Sequence, residues 1–127
     1  MSNLYDKRKS SIKYGFTTIQ HDPRLKFDLS SDSYCVADVI YNLANNPSSI
    51  APGWCYSSRQ SIADMLGISK RSVQRALEEL REKKLLVVND DTNFLRTTQK
   101  WFDEFVQYRL QKNIEISMVH ISENLVT

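Results

Sequence analysis

One short segment carries side chains suited to nucleic-acid recognition: Lys70, Arg71, Ser72, Gln74 and Arg75. Arginine can bind guanine through two parallel hydrogen bonds, and glutamine can bind adenine in the same manner. If the segment is helical and Val73 points inward, at about 100° per residue, then Arg71 and Arg75 point outward. Lys70 would lie in the first turn, where backbone amides and the helix dipole attract phosphate. The segment therefore predicts a helix that presents base-reading side chains to DNA.

Two helices joined by a tight turn are predicted to hold this segment, over residues 57–84. Ser57 is a suitable N-cap, and Gln60 three residues later completes a capping box. Gly67 would end the first helix, because glycine accepts a left-handed backbone, and Ser69 would cap the second. Helical spacing predicts the buried faces, which are Ile62, Met65 and Leu66 on the first helix and Val73, Ala76, Leu77, Leu80 and Lys84 on the second.

The pattern resembles the helix-turn-helix of bacterial and phage DNA-binding proteins at Ile62, Ala63, Leu66, Gly67, Ile68, Ser69, Val73 and Ala76. The resemblance implies that the second helix enters the major groove of DNA with its N-terminal residues on the bases. We also assign Ser58 and Arg59, at the start of the first helix, to the predicted DNA-binding set. The alternative is an ordinary pair of helices joined by a glycine turn.

Acidic residues farther along the second helix limit how deeply it can enter a groove. Glu78, Glu79 and Glu82 follow the basic segment, and phosphates would repel them. We therefore expect only the first two turns to approach DNA. An alternative is that Arg75 pairs with Glu78 or Glu79 at helical spacing.

A β-hairpin is predicted directly after the second helix, over residues 85–98. Residues 85–88 and 94–97 are prone to form strands, and the turn formers of residues 89–93 separate them. A helix followed by such a hairpin resembles the wing of winged-helix proteins. Asp90 and Asp91 at the tip do not suit phosphate binding, so Arg96 on the return strand is the predicted DNA contact of the wing.

Shorter elements are predicted before the motif. Residues 1–14 read as a basic flexible arm, and residues 16–20 as a short strand. Ser30 would cap a helix that runs from Ser31 to about Asn45, with Tyr34 and Tyr41 opposite its core face. This order of elements is similar to the N-terminal domain of phage and plasmid replication initiators, and to small phage transcription regulators.

A helix with a broad apolar face is predicted after the wing, capped by Thr98 and running from Gln99 to about Lys112. The apolar face is formed by Trp101, Phe102, Phe105, Val106 and Tyr108. It could cover Tyr34 and Tyr41 of the same chain, or pair with a second copy. Residues 114–121 read as a strand that pairs with residues 16–20 or exchanges between subunits. We predict a homodimer through residues 99–127, with Trp101, Phe102, Phe105 and Tyr108 as the candidate interface.

Composition argues against several other classes of protein. The chain has 127 residues, 17 of them basic and 15 acidic, so its net charge of +2 does not by itself predict binding to nucleic acid. Cys35 and Cys55 lack metal-type spacing, and His21 and His120 are isolated. We therefore expect no enzyme activity, no cofactor or metal, and no small-molecule substrate. The absence of an export signal or an apolar span predicts a cytoplasmic protein without a membrane partner.

The sequence thus predicts an α+β, mainly α fold: a winged helix-turn-helix with a three-helix core, a hairpin wing, an N-terminal strand and an added C-terminal helix. Residues 15–98 would form the winged-helix domain. The predicted function is sequence-specific binding of double-stranded DNA, in transcription regulation or replication initiation of a phage, plasmid or other mobile element. The alternative is a winged-helix module that binds proteins and makes no DNA contact.

Overall fold

The computed structural model describes the backbone of residues 15–126 and the side chains of residues 15–119. The predicted basic arm, residues 1–14, lies outside the described residues. The helices are α1 (His21–Lys26), α2 (Ser31–Ala44), α3 (Arg59–Leu66), α4 (Lys70–Glu82), α5 (Gln99–Trp101) and α6 (Gln107–Val126). A π-helical turn, Phe102–Val106, joins α5 to α6, and the strands β1 (Leu86–Val88) and β2 (Leu95–Thr97) precede them.

The core lies between α2, α3 and α4, as the apolar spacing predicts. Its fully buried side chains include Val36, Val39 and Ile40 of α2, Ile62 and Ala63 of α3, and Val73 and Leu80 of α4. Burying one such aliphatic side chain contributes about 1.5–3 kcal/mol, so this cluster fixes the angle between the helices. Two predicted core residues, Met65 and Lys84, are exposed instead. Met65 lies outside the buried face of α3, and Lys84 lies beyond the C-terminal end of α4.

Each core helix begins at a serine whose hydroxyl oxygen accepts a hydrogen bond from a backbone N–H three residues later. Ser30, Ser58 and Ser69 are these caps, at oxygen-to-nitrogen distances of 3.1, 3.0 and 3.0 Å. The caps at Ser30 and Ser69 are confirmed. The predicted cap at Ser57 is wrong by one residue, and Gln60 donates a hydrogen bond to Asp64 rather than completing a capping box.

The two strands form an antiparallel hairpin in which Leu86 faces Thr97 and Val88 faces Leu95. Cys55 extends this sheet on the far edge of β2, because its N–H and C=O both bond to Leu95, at 2.7 and 2.9 Å. With the three-helix core, this arrangement confirms the predicted winged helix-turn-helix of the α+β, mainly α class.

The predicted N-terminal strand is wrong. Residues 16–20 have no strand structure, and the short helix α1 follows them directly. Cys55 already bonds to β2, so that edge of the sheet is not available to this segment. Pro23 does not prevent α1 from forming, because proline is tolerated in the first turn of a helix.

The predicted C-terminal strand is also wrong, since residues 114–121 continue the helix α6. Their apolar residues alternate partly as in a strand. However, no glycine or proline occurs between Thr98 and the end of the chain to stop a helix that Thr98 caps. Extending an existing helix costs less than starting a new element, so the helix continues.

The apolar face of the C-terminal helix packs on its own chain. Trp101 stacks on Phe105 at 4.4 Å between ring centroids, and Tyr34 meets both rings edge-on at 5.3 and 5.7 Å. Trp101 and Phe105 are each only 1% exposed, so the prediction that they join two copies is wrong. Phe102 packs against the same core. The alternative in which this helix covers Tyr34 is confirmed.

Polar contacts fix the start of α6 on the domain. The Tyr108 hydroxyl donates to a carboxylate oxygen of Asp22 at 2.8 Å, so this predicted interface residue also contacts its own chain. Arg109 lies 3.8 Å from the nearly buried carboxylate of Asp38. This ion pair joins the first turn of α6 to α2 and helps to hold the two helices together.

Candidate DNA-binding interface

The first two turns of α4 present an exposed polar surface. Lys70, Arg71, Gln74 and Arg75 are all exposed, and within the described part of the chain no hydrogen bond or ion pair engages their side chains. Ser72 is half-buried, and its hydroxyl oxygen accepts a hydrogen bond from the Ser69 hydroxyl at 2.9 Å. Four of the five side chains predicted to contact DNA on this helix are therefore available to a ligand.

The turn before α4 sets the direction of this surface. Gly67 adopts the left-handed conformation with φ of +68°, and the N–H of Ile68 donates to the carbonyl of Ala63 at 3.1 Å. Half-buried Ile68 packs against the core, and Val73 is fully buried one turn later. Because Val73 must point inward, Arg71 and Arg75 must point into solvent.

Glu79 stabilises the packing of α4 on α2. Its carboxylate accepts hydrogen bonds from the hydroxyls of Ser33 and Ser30 and from the N–H of Ser30, at 2.6, 3.2 and 3.2 Å. The negative charge thus lies at the N-terminus of α2, where the helix dipole stabilises it. The predicted alternative, in which Arg75 pairs with Glu78 or Glu79, does not occur. Glu78 and Glu82 stay exposed, so they still oppose deeper entry into a groove.

The start of α3 lies beside the tip of the wing. One guanidinium nitrogen of Arg59, Nη1, donates to the backbone carbonyl of Asn93 at 2.8 Å. Ser58 is exposed and caps α3 through its hydroxyl. Arg59 therefore connects the start of α3 to the wing through this hydrogen bond. The structure brings the predicted residues Ser58 and Arg59 next to the wing.

The wing tip is an ordered acidic turn. The side-chain oxygen Oδ1 of Asn89 accepts hydrogen bonds from the N–H groups of Asp91 and Thr92, at 2.9 and 3.1 Å. The side chains of Asp90 and Asp91 are exposed. This geometry carries two carboxylates into solvent, where they would repel phosphates.

The structure does not bring Arg96 together with the α4 residues. Its guanidinium lies 4.2 Å above the ring of Trp54, in a cleft that also includes Gly53 and Ala44 at the C-terminal end of α2. Ser72 and Arg75 instead line a cleft at the N-terminal end of α2. Because α2 is about 21 Å long at 1.5 Å per residue, the two clefts are far apart.

Sequence reasoning missed an aromatic pair next to the motif. Tyr56 lies just before α3 and contacts Phe94 of the wing, at 6.4 Å between ring centroids. Tyr56 is 47% exposed. Sequence reasoning also missed the role of Glu79. The sequence has no local signal for this role, because the partners Ser30 and Ser33 are distant from Glu79 along the chain.

The thiols of Cys35 and Cys55 are in surroundings that favour their protonated form. Burial raises the pKa of the Cys55 thiol, and burial with the nearby Asp38 charge raises the pKa of Cys35. Both thiols therefore stay protonated at neutral pH, whereas the thiolate is the nucleophile and metal ligand. Within residues 15–119 no cluster of three or more His, Cys, Asp or Glu side chains could hold a metal ion. In the same described part, no helix combines the length and apolar character needed to cross a membrane.

Comparison with known protein families identifies one domain in this chain. Residues 36–98, from within α2 through the wing, match the family model of the Crp-like helix-turn-helix domain. Searches of curated proteins and of solved structures found no match. The chain thus contains a helix-turn-helix domain of a DNA-binding type.

Proposed function

We propose that this protein binds double-stranded DNA in a sequence-specific manner, with the first two turns of α4 in the major groove. The observation that carries this proposal is the exposed set Arg71, Gln74 and Arg75, which has no intramolecular partner in the described chain. Long polar side chains without such partners break no intramolecular hydrogen bond or ion pair when they bind a base. The serine cap and the buried face of α4 hold its backbone rigid, which reduces the entropy lost on binding.

The residues take distinct roles in this proposal. Arg71 and Arg75 bind guanine edges, and Gln74 binds adenine, because their geometry matches those acceptor and donor patterns. Lys70 and the hydroxyl of Ser58 approach phosphates at the starts of the two helices. Arg59 positions the wing tip, and Arg96 lies outside the DNA surface. The acidic tip itself stays away from the backbone.

We propose transcription regulation on a phage, plasmid or other mobile element as the biological role, with replication initiation as the alternative. The resemblance of residues 57–84 to the helix-turn-helix of bacterial and phage DNA-binding proteins supports this context. If the protein regulates transcription, the expression of a reporter gene placed downstream of its DNA-binding site should change when the protein is present. An origin-binding protein would instead support replication of a plasmid that carries the site.

The proposed complex contains a homodimer, because two copies related by a twofold axis can read two half-sites. The buried positions of Trp101 and Phe105 require that another surface joins the copies. In this proposal residues 15–98 bind DNA and residues 99–127 mediate the association.

The proposal is tested by selecting bound duplexes from a random pool and then measuring variants on the selected site. Arg71→Ala and Arg75→Ala should each weaken specific binding by about 1–3 kcal/mol, the value of a good bidentate contact to a base. Arg81→Ala is the matched control, since it removes the same charge from an exposed position two turns farther along α4. Circular dichroism would verify that all three variants fold.

Normal binding by both Arg71→Ala and Arg75→Ala would show that α4 does not enter the groove.

The exposed Asp90 and Asp91 favour a second candidate function, a winged-helix module that binds a protein through its wing. That function predicts that no duplex is enriched from the pool.

A further inference from the structure

We propose that two copies of this chain pair through one stripe of α6, formed by Leu110, Ile114 and Met118. These side chains are 49%, 59% and 63% exposed, which is unusual for large apolar groups on one helix face. The inference extends the proposed DNA binding by naming the surface that brings two α4 helices together.

The free part of α6 requires a partner. From Leu110 to Val119 every described side chain is exposed, so this part of the helix has no core of its own. This part continues a helix that is already formed, but without tertiary packing its stability depends on helix propensity alone. Ile114, Ile116 and Val119 are β-branched and favour the helix less than alanine. Packing against another helix would supply the missing stabilisation.

The stripe faces away from the rest of its own chain. At about 100° per residue, Leu110, Ile114 and Met118 span about 80° of the helix surface. Tyr108 and Arg109, which contact Asp22 and Asp38 of the domain, lie roughly on the opposite side of the helix. The domain therefore cannot cover the stripe, whereas a second molecule can.

Its spacing suits a partner helix rather than a flat surface. The three side chains form a single i, i+4, i+8 row, the kind of ridge that packs into the groove of a second helix, whereas a surface helix packed on a globular core usually shows a wider apolar face.

The flanks of the stripe favour an identical partner. Gln111 and Ser117, which lie within about 20° of its two edges, are uncharged, so the side chains next to the stripe would not place like charges against each other in a pair of identical copies. The charged Lys112 and Glu115 lie outside the stripe and form an ion pair with each other at 3.4 Å. A strongly charged partner would have no complementary groups beside this seam.

The available length is sufficient for a modest interface. The helix from Leu110 to Val126 is about 25 Å long. Two such helices packed at about 9 Å would bury on the order of 1,000 Å², the lower end for a specific interface. We therefore expect a dimer that dissociates in the micromolar range, which DNA carrying two half-sites would stabilise by binding both copies.

Sedimentation of the full chain between about 1 and 200 μM tests this inference, a range that spans the expected affinity. The protein should change from monomer to dimer as concentration rises. Ile114→Glu should raise the dissociation constant at least about 100-fold, because it buries two carboxylates in the seam. Ile116→Glu is the matched control: Ile116 is 66% exposed but lies off the stripe, so its dimer should persist. Met118→Gln provides a second, milder change on the stripe.

A wild-type protein that stays monomeric at every concentration would overturn the inference, as would two glutamate variants with the same effect. Circular dichroism separates loss of the helix from loss of pairing, and if Ile114→Glu unfolds α6, Met118→Gln decides. These outcomes are distinct from failure of the proposed function, since a monomer can still bind a single half-site through α4. Only the Arg71 and Arg75 variants test that binding.

Discussion

At the scale of single residues, the polar side chains of α4 divide into two groups by what they contact. Arg71, Gln74 and Arg75 point into solvent and have no partner in the described chain, whereas Glu79 is fully engaged at the start of α2. Sequence periodicity separates inward from outward positions, so it predicts the first group. It does not predict the partner of Glu79, because that depends on how α2 crosses α4.

Glu79 should contribute to stability more than its exposed neighbour does. Glu79→Ala removes the acceptor for Ser30 and Ser33, and we expect it to lower the free energy of unfolding by about 1–3 kcal/mol. Urea denaturation would measure this change. Glu78→Ala, which deletes an exposed carboxylate on the same helix, should change stability by less than about 0.5 kcal/mol. Equal effects of the two variants would contradict the assigned role.

At the scale of helices and strands, most of the local signals that start or end an element predict the structure, although the cap of α3 is predicted one residue too early. The Ser69 cap, the Gly67 stop and the turn formers between β1 and β2 each act within a few residues, and all three are found as predicted. Helix-turn-helix geometry depends mainly on such signals, which explains why residues 57–98 are the best-predicted part of the chain.

Elements that depend on distant partners are predicted less well. Residues 16–20 favour a strand locally, but no strand edge accepts them. Trp101 and Phe105 form an apolar face on their own helix, and only the fold shows that Tyr34 and Phe27 cover it. The sequence therefore identifies an apolar face correctly, while the choice between intramolecular and intermolecular burial requires the structure.

The turn between α3 and α4 should be sensitive to substitution of its glycine. Gly67 has φ of +68°, yet a Cβ added there would meet no atom within 4 Å. The cost of Gly67→Ala is therefore conformational alone, and we expect a loss of about 1–2 kcal/mol in the free energy of unfolding. Thermal or urea unfolding would measure it. Gly67→Asn should cost less, because asparagine adopts this conformation more readily; an alanine variant as stable as the wild type would refute the argument.

At the scale of the whole molecule, two helices of the domain carry surfaces of different character. The α4 surface is polar and rich in basic groups, whereas the free part of α6 presents an apolar stripe. The Asp38–Arg109 pair and the Tyr108–Asp22 bond anchor α6 to the domain. Pairing through that stripe would thus place two α4 helices at a fixed separation, which is the arrangement required to read two half-sites.

The most direct measurement is the salt dependence of binding to a random-sequence duplex. Phosphate contacts release counterions, so the logarithm of the binding constant should fall with the logarithm of salt concentration, with a slope of about −3 or steeper. Lys70→Ala should reduce the magnitude of that slope by about 0.9, the share of one phosphate contact, while Arg81→Ala should leave it unchanged. No binding, binding insensitive to salt, or an unchanged slope for Lys70→Ala would contradict the assignment of the α4 N-terminus to DNA.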